Sequence, residues 1–556
     1  MLVECVIDEL LKLIGKKLTI EQLEDALFLM KAEIDKADDK IIVIEINPDR
    51  TDMLSTEGIA RALRAFLNVS SGITEYPVKK SGLEVIVKPG LKKIREFIAC
   101  GIVKGVQTSD DLIKEYMHLQ EALTITHGRN RKKASIGLYV FDEIGFPVVY
   151  RPARPESIRF APLGTETEMD GPTIINEHEK GVLYGPIISK HKKWPLLIDS
   201  KGKTLSLPPI INSNTLGQVD MTTRNLFIEV TGTHKKTVDQ ALNIMVTSLA
   251  ERGGNLESVT VHYPDGASIK TPNLTPKKMR LEVKDVIELT GLSLSDVETV
   301  DCLRKMGYDA RIKGKGNLEV KVPAYRTDVL HPVDLIEDVA IGYGYNRIEP
   351  SIPQTATSGK LLPITRLKNK IRDLLVGTGY QEIKSYVMTS PEIMNVKMLR
   401  NKPLTITGNP KSQDYSVLRN SLLPVLLDFA SQNQHADYPQ RIFEVGDVVM
   451  PDEREQTRTK QVPHVCRLVV DIRVNITEML TEMGFILRNL GLGSRIEFAA
   501  EKTPEFIDGR SGKILINGEP VGVFGEISPE VLNNFGIGMP VVAFEMELPK
   551  NGTWAL

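Results

Sequence analysis

Thr19 and Gln22 bracket a capping box, and Leu23, Leu27 and Met30 follow on one face, so a helix is predicted over 19–30. Residues 41–46 are a short, mostly apolar run suited to a strand, and Asn47-Pro48 turns the chain after them. Ser55, with Gly58-Ile59-Ala60 behind it, opens a second helix that buries Leu63, Phe66 and Leu67. From about 86 to 265 the apolar runs shorten and turns multiply. Strands are expected at 83–87, 97–106, 135–140, 196–198 and 226–230, with helices at 109–123 and 238–252, the latter stopped by Gly253-Gly254. Residues 263–276 contain three prolines and mark a boundary. A helix–helix–strand–helix module is predicted over 277–350: Ser295 and Glu298 form another capping box, Gly307 ends that helix, 317–322 alternates as a strand, and Pro332 suits a first helical turn. After a Pro/Thr-rich linker at 351–363, strands and helices alternate: helix 364–376, strands 382–388 and 403–407, helix 422–434, strands 441–449 and 466–472, and helix 476–490. A hairpin through Asn517-Gly518 and a last strand at 541–548 complete an antiparallel sheet flanked by helices.

The fold class expected is therefore α+β and multidomain: a small N-terminal α/β domain at 1–85, a β-rich domain at 86–265, a helical module at 272–350 and an antiparallel domain at 356–556. The length of 556 residues suits about three to five domains. Lys+Arg total 70 and Asp+Glu 72, so any nucleic-acid contact must be local. Cys5, Cys100, Cys302 and Cys466 are far apart and form no CxxC pair, which argues against a disulfide framework or a thiolate zinc site. The N-terminus has early acids and no apolar core behind a basic stretch, and no run of ~18 apolar residues occurs. A cytoplasmic protein without membrane contact is expected. The segments Arg50-Thr51-Asp52-Met53-Leu54 and Arg326-Thr327-Asp328-Val329-Leu330 echo each other, each leading into a helix.

Three constellations carry candidate chemistry. Asp334, Glu337 and Asp338 stack on one helical face, with Asp328 in the turn before it. Four carboxylates without His or Cys form a hard oxygen ligand set suited to Mg2+; spacing alone favours the plainer reading, acids that complement a helix N-terminus. In 195–233, hydroxyl residues alternate with apolar ones, and Glu229 sits between two apolar residues of a strand, where a buried acid needs a partner or a function. His127, Arg129 and Arg131, followed by Lys132 and Lys133, form a basic patch that either meets a phosphate backbone or is a solvated turn. No GxSxG, GxxxxGK[ST] or HExxH pattern occurs, which removes the common hydrolase, P-loop and zincin signatures.

Residues 322–348, VPAYRTDVLHPVDLIEDVAIGYGYNRI, closely resemble a signature of phenylalanyl-tRNA synthetase β subunits. EINPDRTDMLSTEGIARALRAFL at 45–67 resembles that family's N-terminal domain. THGRNRKKASIGLYVFD, with RFAPL and LPPIINSN downstream, resembles its archaeal/eukaryotic editing domain. LRNSLLPVLLDFASQNQH and RIFEVGDVV resemble its catalytic-like domain. The motifs occur in the family's order along nearly the whole chain.

The resemblance implies a division of labour. The α subunit carries the class II active site for ATP and phenylalanine, and the β subunit proofreads within an (αβ)2 tetramer that charges tRNA-Phe. It assigns Mg2+ to Asp328, Asp334, Glu337 and Asp338, and an editing pocket to Leu197, Ser206, Glu229 and Thr231. Glu229 would accept the tyrosine hydroxyl while Ser206 and Thr231 orient substrate or water; the archaeal pattern more often has Asp where Glu229 stands. His127, Arg129 and Arg131 become candidate tRNA contacts, and no DNA contact is implied. The last domain resembles a class II fold that lacks its active site, because the final strand, VVAFEMELPKNG, has acids and a lysine where an arginine for ATP would stand. No ATP binding is expected in this chain alone. Anticodon contacts fall to the α subunit. An apolar pocket rejects an added hydroxyl by only about 10²-fold, which is why tyrosine must be removed after charging. Two other readings stay open: a free-standing aminoacyl-tRNA deacylase, and a non-catalytic scaffold.

Overall fold

The computed structural model describes all residues except Ala356, Thr553, Ala555 and Leu556, so the end points expected for the last domain, 356 and 556, lie outside the described residues. The chain divides into two units, Met1–Ile352 and Pro353–Leu556.

The first unit opens with β1 (Leu2–Val6), α1 (Ile7–Ile14), α2 (Ile20–Leu29), β2 (Ala32–Ala37), β3 (Ile41–Ile46) and α3 (Thr56–Phe66). The sheet order is β1-β3-β2. Gly15 ends α1 in the left-handed region at φ 77°, and the Thr19/Gln22 capping box opens α2 as predicted.

A ten-stranded sheet follows, with β4 (Val78–Val87), β5 (Phe97–Lys104), α4 (Asp110–Ile125), β6 (Ala134–Val140) and β7 (Val148–Ala153). The chain makes an excursion through β8 (Arg159–Phe160), β9 (Met169–Asp170), α5 (Gly171–Glu177) and α6 (Glu179–Tyr184). It returns as β10 (Trp194–Ile198), β11 (Thr204–Leu207), β12 (Ile211–Asn212), α7 (Asn214–Gly217), β13 (Asn225–Gly232), α8 (Lys235–Glu251), β14 (Asn255–His262) and β15 (Ser268–Thr271). The strand order is β12-β11-β10-β7-β4-β14-β5-β13-β6, with β15 on β14. The sheet curls until its edges meet: Asn212 Nδ2 on β12 donates to the Leu138 carbonyl on β6 at 3.3 Å. One face of β13, with Ile228 and Val230, packs on Leu242 and Met245 of α8; Cys100, Tyr139, Leu197 and Phe227 fill the other. Two expected boundaries shift. β4 begins at Val78 because it pairs in parallel with β14 and β7, so residue 85 falls inside a strand, and β15 carries the sheet past 265.

The third part of this unit is β16 (Lys277–Glu282), α9 (Val283–Thr290), α10 (Asp296–Lys305), β17 (Asp309–Gly314), β18 (Asn317–Val322) and α11 (Pro332–Tyr343). The sequence reading missed β16 and β17. The order is β16-β18-β17. This repeats the N-terminal plan: strand, helix closed by a left-handed glycine (Gly291), capping-boxed helix, two strands with the last one central, Arg-Thr-Asp, helix. The two Arg-Thr-Asp segments meet, with the Thr51 and Thr327 hydroxyls 2.7 Å apart.

The second unit contains α12 (Pro363–Gly377), β19 (Gln381–Glu382), β20 (Met388–Thr389), β21 (Thr405–Ile406), β22 (Val417–Leu418), α13 (Leu423–Gln432), β23 (Gln440–Pro451) and β24 (Thr459–Val470). It ends with α14 (Ile476–Asn489), β25 (Ile496–Ala500), β26 (Phe506–Ile516), β27 (Glu519–Ile527), α15 (Pro529–Phe535) and β28 (Val541–Glu547). Seven strands run β19-β23-β24-β28-β27-β26-β25, antiparallel except β19 on β23. Leu426 of α13 and Val531 of α15 bury against one face; Leu367 of α12 and Met483 of α14 cover the other. Asn517 and Gly518 both have positive φ, as the predicted hairpin requires. The strand predicted at 382–388 is instead the end of β19 and the start of β20, because its two ends pair into different sheets. Among the described residues no helix is long and apolar enough to cross a membrane, and all four cysteines are free and buried.

Candidate functional site

β13 lies between β5 and β6, and antiparallel pairing puts Glu229 opposite Cys100 and Gly137, and Thr231 opposite Ile98 and Ser135. Side chains alternate along a strand, so Phe227, Glu229 and Thr231 share the face turned away from α8. Glu229 is 2% exposed and stands where the sheet edges close on each other. The Tyr139 hydroxyl, on β6, lies 3.1 Å from Glu229 Oε1, 2.9 Å from Ser206 Oγ and 3.2 Å from Asn212 Oδ1. A phenol has one proton, so it donates to one of these while Ser206 can donate back to it. Glu229 Oε2 has no partner. Burial pushes the Glu229 carboxyl up to about 7, against the Tyr139 hydrogen bond and the Arg95 charge, which pull it down. Gly137 gives the acid its room: a Cβ there would come within 2.4 Å of the Tyr139 oxygen and 2.8 Å of Glu229 Oε1.

These groups open on a cavity of about 440 Å3, lined by Glu229, Ser206, Asn212, Ser135, Gln120 and His178 among others. Its frame is Arg95, a fully buried guanidinium. Nε donates to Thr231 Oγ1 at 3.0 Å, Nη2 to Ser135 Oγ at 2.9 Å and to the Thr231 carbonyl at 2.6 Å, and Nη1 to the Arg131 carbonyl at 2.9 Å. Burial lowers its pKa to about 10. The structure brings Ser206 and Glu229 together through Tyr139. Thr231 sits on the same face, locked to Arg95. Leu197 pairs with Ser206 across the strands and is wholly buried in the core behind the cavity. Tyr139, Asn212, Arg95 and Gly137 were not singled out from the sequence, although alternation along 134–140 puts Tyr139 and Gly137 on one face.

In the basic patch, Arg131 is committed to the pocket wall. Nη1 donates to the Pro209 and Ile210 carbonyls at 3.2 and 2.9 Å, Nη2 pairs with Glu121 at 2.9 Å, and the guanidinium stacks on Tyr184. His127 is half-buried and its pKa is lowered, first by burial. Arg129 stands exposed in a turn at φ 50°.

The four carboxylates do not converge. Arg326 holds Asp328 through Nε at 2.9 Å and Nη2 at 2.7 Å, and holds Asp338 through Nη2 at 2.6 Å. Tyr308 also donates to Asp338. Burial raises the Asp328 carboxyl, but Arg326 outweighs it and sets its pKa at about 2. Asp334 accepts the backbone N–H groups of Leu330 and His331, both at 2.7 Å, and Glu337 pairs with Lys31 at 3.0 Å. Among the described residues no group of three or more His, Cys, Asp or Glu is arranged to hold a metal ion. Arranged this way, the residues do not fit Mg2+: an arginine fills the centre where a cation would stand, and Asp334 caps the helix.

In the second unit the acid on the final strand, Glu545, is buried beneath α13. Two arginines are buried elsewhere in the unit: Arg419 lies 2.9 Å from Glu444, and Arg467 pairs with Glu482 and stacks on Tyr380.

These features meet known families. The tRNA synthetase B5 domain model matches residues 279–345, and the phenylalanyl-tRNA synthetase β chain CLM domain model matches 348–548. Together they define a subunit of an aminoacyl-tRNA synthetase. The phenylalanine–tRNA ligase β subunit of Thermococcus gammatolerans is 41% identical over 561 residues, covering 97% of both chains. That of Pyrococcus horikoshii is 40% identical over 546 residues, also at 97% of each, and that of Methanococcoides burtonii is 39% identical over 529. The solved N-terminal fragment of the Pyrococcus horikoshii phenylalanyl-tRNA synthetase β subunit matches with TM-score 0.60 and 40% identity, covering 62% of this chain and 99% of that one. The chain belongs to the phenylalanine–tRNA ligase β-subunit family.

Proposed function

We propose that this chain is the proofreading and assembly subunit of a phenylalanine–tRNA ligase, and that the cavity at the sheet seam hydrolyses tyrosine mischarged onto tRNA-Phe. One observation carries the reading: a fully buried glutamate whose second oxygen has no partner faces a cavity of about 440 Å3. Such an acceptor is satisfied by the phenol of tyrosine and left unpaired by phenylalanine, so it selects the wrong product for removal. In this reading Glu229 takes the phenol, Tyr139 and Asn212 fix the carboxylate and the edge strand, and Ser206 orients the ester or the attacking water. Thr231 acts through Arg95 to hold the wall. Among the described residues that line this cavity no serine is hydrogen-bonded to a histidine, so the neighbouring ribose hydroxyl of the substrate assists the attack of water.

Activation of phenylalanine and its transfer to tRNA reside in the α subunit, within an (αβ)2 assembly. Tyr386 and Ile406, each 77% exposed, and Tyr415 give the β20-β22-β21 sheet an apolar outer surface suited to a partner. A free-standing deacylase has no use for the matched CLM domain. Arg129 and Lys132 are the exposed cations of the basic patch left for the tRNA backbone. No ion at the carboxylate helix enters this scheme.

Co-expression with the cognate α subunit tests the reading. A complex that charges tRNA-Phe and clears Tyr-tRNA-Phe is expected. A chain that ignores α and still deacylates would support the free-standing enzyme, and a charging complex without deacylation would leave the cavity without this role.

A further inference from the structure

The second unit has its own cavity, of about 400 Å3, lined by the 400–403 segment, the 420–423 segment that leads into α13, and residues of β23, β24, β27 and β28. Its base is Glu545. This carboxylate accepts the backbone N–H groups of Leu422 and Leu423 at 2.7 and 3.0 Å, the Ser421 hydroxyl at 2.6 Å, and His464 Nδ1 at 2.7 Å. Burial raises its carboxyl, but these hydrogen bonds, led by that of His464, bring it down to about 2. An ionised carboxylate can only accept, so the shared proton sits on Nδ1, and His464 Nε2 is left without a partner.

Two more polar groups on the cavity wall, Arg400 and Asn420, are under-used. Arg400 has a side chain 5% exposed; its Nε donates to the Met394 carbonyl at 3.0 Å, but Nη2 is buried and unpartnered. Its charge partner Glu505 is equally buried and 3.8 Å away, and no hydrogen bond joins them. Asn420 Nδ2 donates to the Pro403 carbonyl at 2.9 Å, while its Oδ1 is buried and unpartnered. A buried guanidinium with a spare donor calls for an anion, and a buried amide oxygen beside a ring nitrogen and a carboxylate calls for a hydrogen donor. Met450, Val523 and Met546 complete the wall with apolar surface.

We propose that this cavity binds a small amino acid: its carboxylate on Arg400, its amino group toward Asn420, His464 and Glu505, and an apolar side chain against Met450 and Val523. The volume is at the lower end of small-molecule sites and suits a ligand of that size. The site is separate from the editing cavity and does not depend on the proofreading reading.

The test is calorimetric titration of the full-length chain with L-leucine, L-methionine and L-phenylalanine, each beside its carboxamide. At least one acid is expected to bind one-to-one with Kd below about 1 mM, and its amide at least about tenfold weaker, because the charged hydrogen bond to Arg400 is lost. The acid–amide comparison needs no variant, so misfolding cannot mask it. Arg400→Met is expected to reproduce the tenfold loss, whereas Glu229→Gln, in the other cavity, leaves binding unchanged. Failure of all three acids to bind in this range, equal binding of acid and amide, or loss of binding in Glu229→Gln but not in Arg400→Met overturns the proposal.

Discussion

Glu229→Gln is expected to stabilise the protein while disabling proofreading. The glutamate is fully buried and its carboxyl is pushed from 4.5 up to about 7. A folded-state pKa above the unfolded value means that folding works against ionisation. The penalty is absent below pH about 4.5, grows between about 4.5 and 7, and is constant above. The shift corresponds to about 3 kcal/mol at pH 8 and under about 1 kcal/mol at pH 5. Glutamine has the same shape and no charge. Thermal melting of the variant should therefore exceed that of the parent by several degrees at pH 8 and by little at pH 5. Activity should move the other way. At pH 8 Oε2 is a charged acceptor for the tyrosine phenol, and its replacement removes about 1.5–3 kcal/mol, or roughly 10- to 150-fold in kcat/KM for Tyr-tRNA-Phe deacylation. Phenylalanylation by the assembled ligase should be unchanged. Deacylation within threefold of the parent, or a stability gain equal at both pH values, would refute the reasoning.

Gly137→Ala drives a methyl to within 2.8 Å of Glu229 Oε1 and 2.4 Å of the Tyr139 oxygen, so deacylation should collapse at a stability loss of about 1–3 kcal/mol, read by melting and Tyr-tRNA-Phe hydrolysis. Arg95→Met strands the hydroxyls of Thr231 and Ser135 and should cost about 1–3 kcal/mol in denaturant unfolding, with editing lost alongside. Arg326→Met leaves Asp328 and Asp338 without their cation and should lower the melting temperature, with Mg2+ restoring part of the loss. Melting of the unsubstituted chain should be indifferent to Mg2+ and to chelator; a response there would mean that the carboxylates rearrange around an ion.

Periodicity located five of the ten strands of the large sheet, β4, β5, β6, β10 and β13, together with α4 and α8, because β13 and α8 are long and carry uninterrupted apolar faces; it missed β7, β11, β12, β14 and β15. It failed at β1, β2 and β16, which are short and exposed on one side, so propensity says little until a partner strand is known. The Arg-Thr-Asp echo was visible as a few residues, but its meaning, two repeats of one plan joined at Thr51 and Thr327, needed the strand order. Glu229 was legible because an acid between isoleucine and valine in a strand must be buried. Tyr139 and Asn212 were not, because they reach Glu229 only when the edges of a ten-stranded sheet close. The carboxylate helix shows the converse: spacing put three acids on one face, and nothing in that spacing announced that Arg326 would fold back to neutralise two of the four.

The most direct measurement is a crystal structure of the chain assembled with its α subunit and bound to a non-hydrolysable tyrosyl-adenosine analogue. The account expects the tyrosine phenol in the seam cavity, within hydrogen-bond distance of Glu229 Oε2 and with the ester mimic beside Ser206. An analogue seated elsewhere, or one whose phenol points away from Glu229, would contradict it.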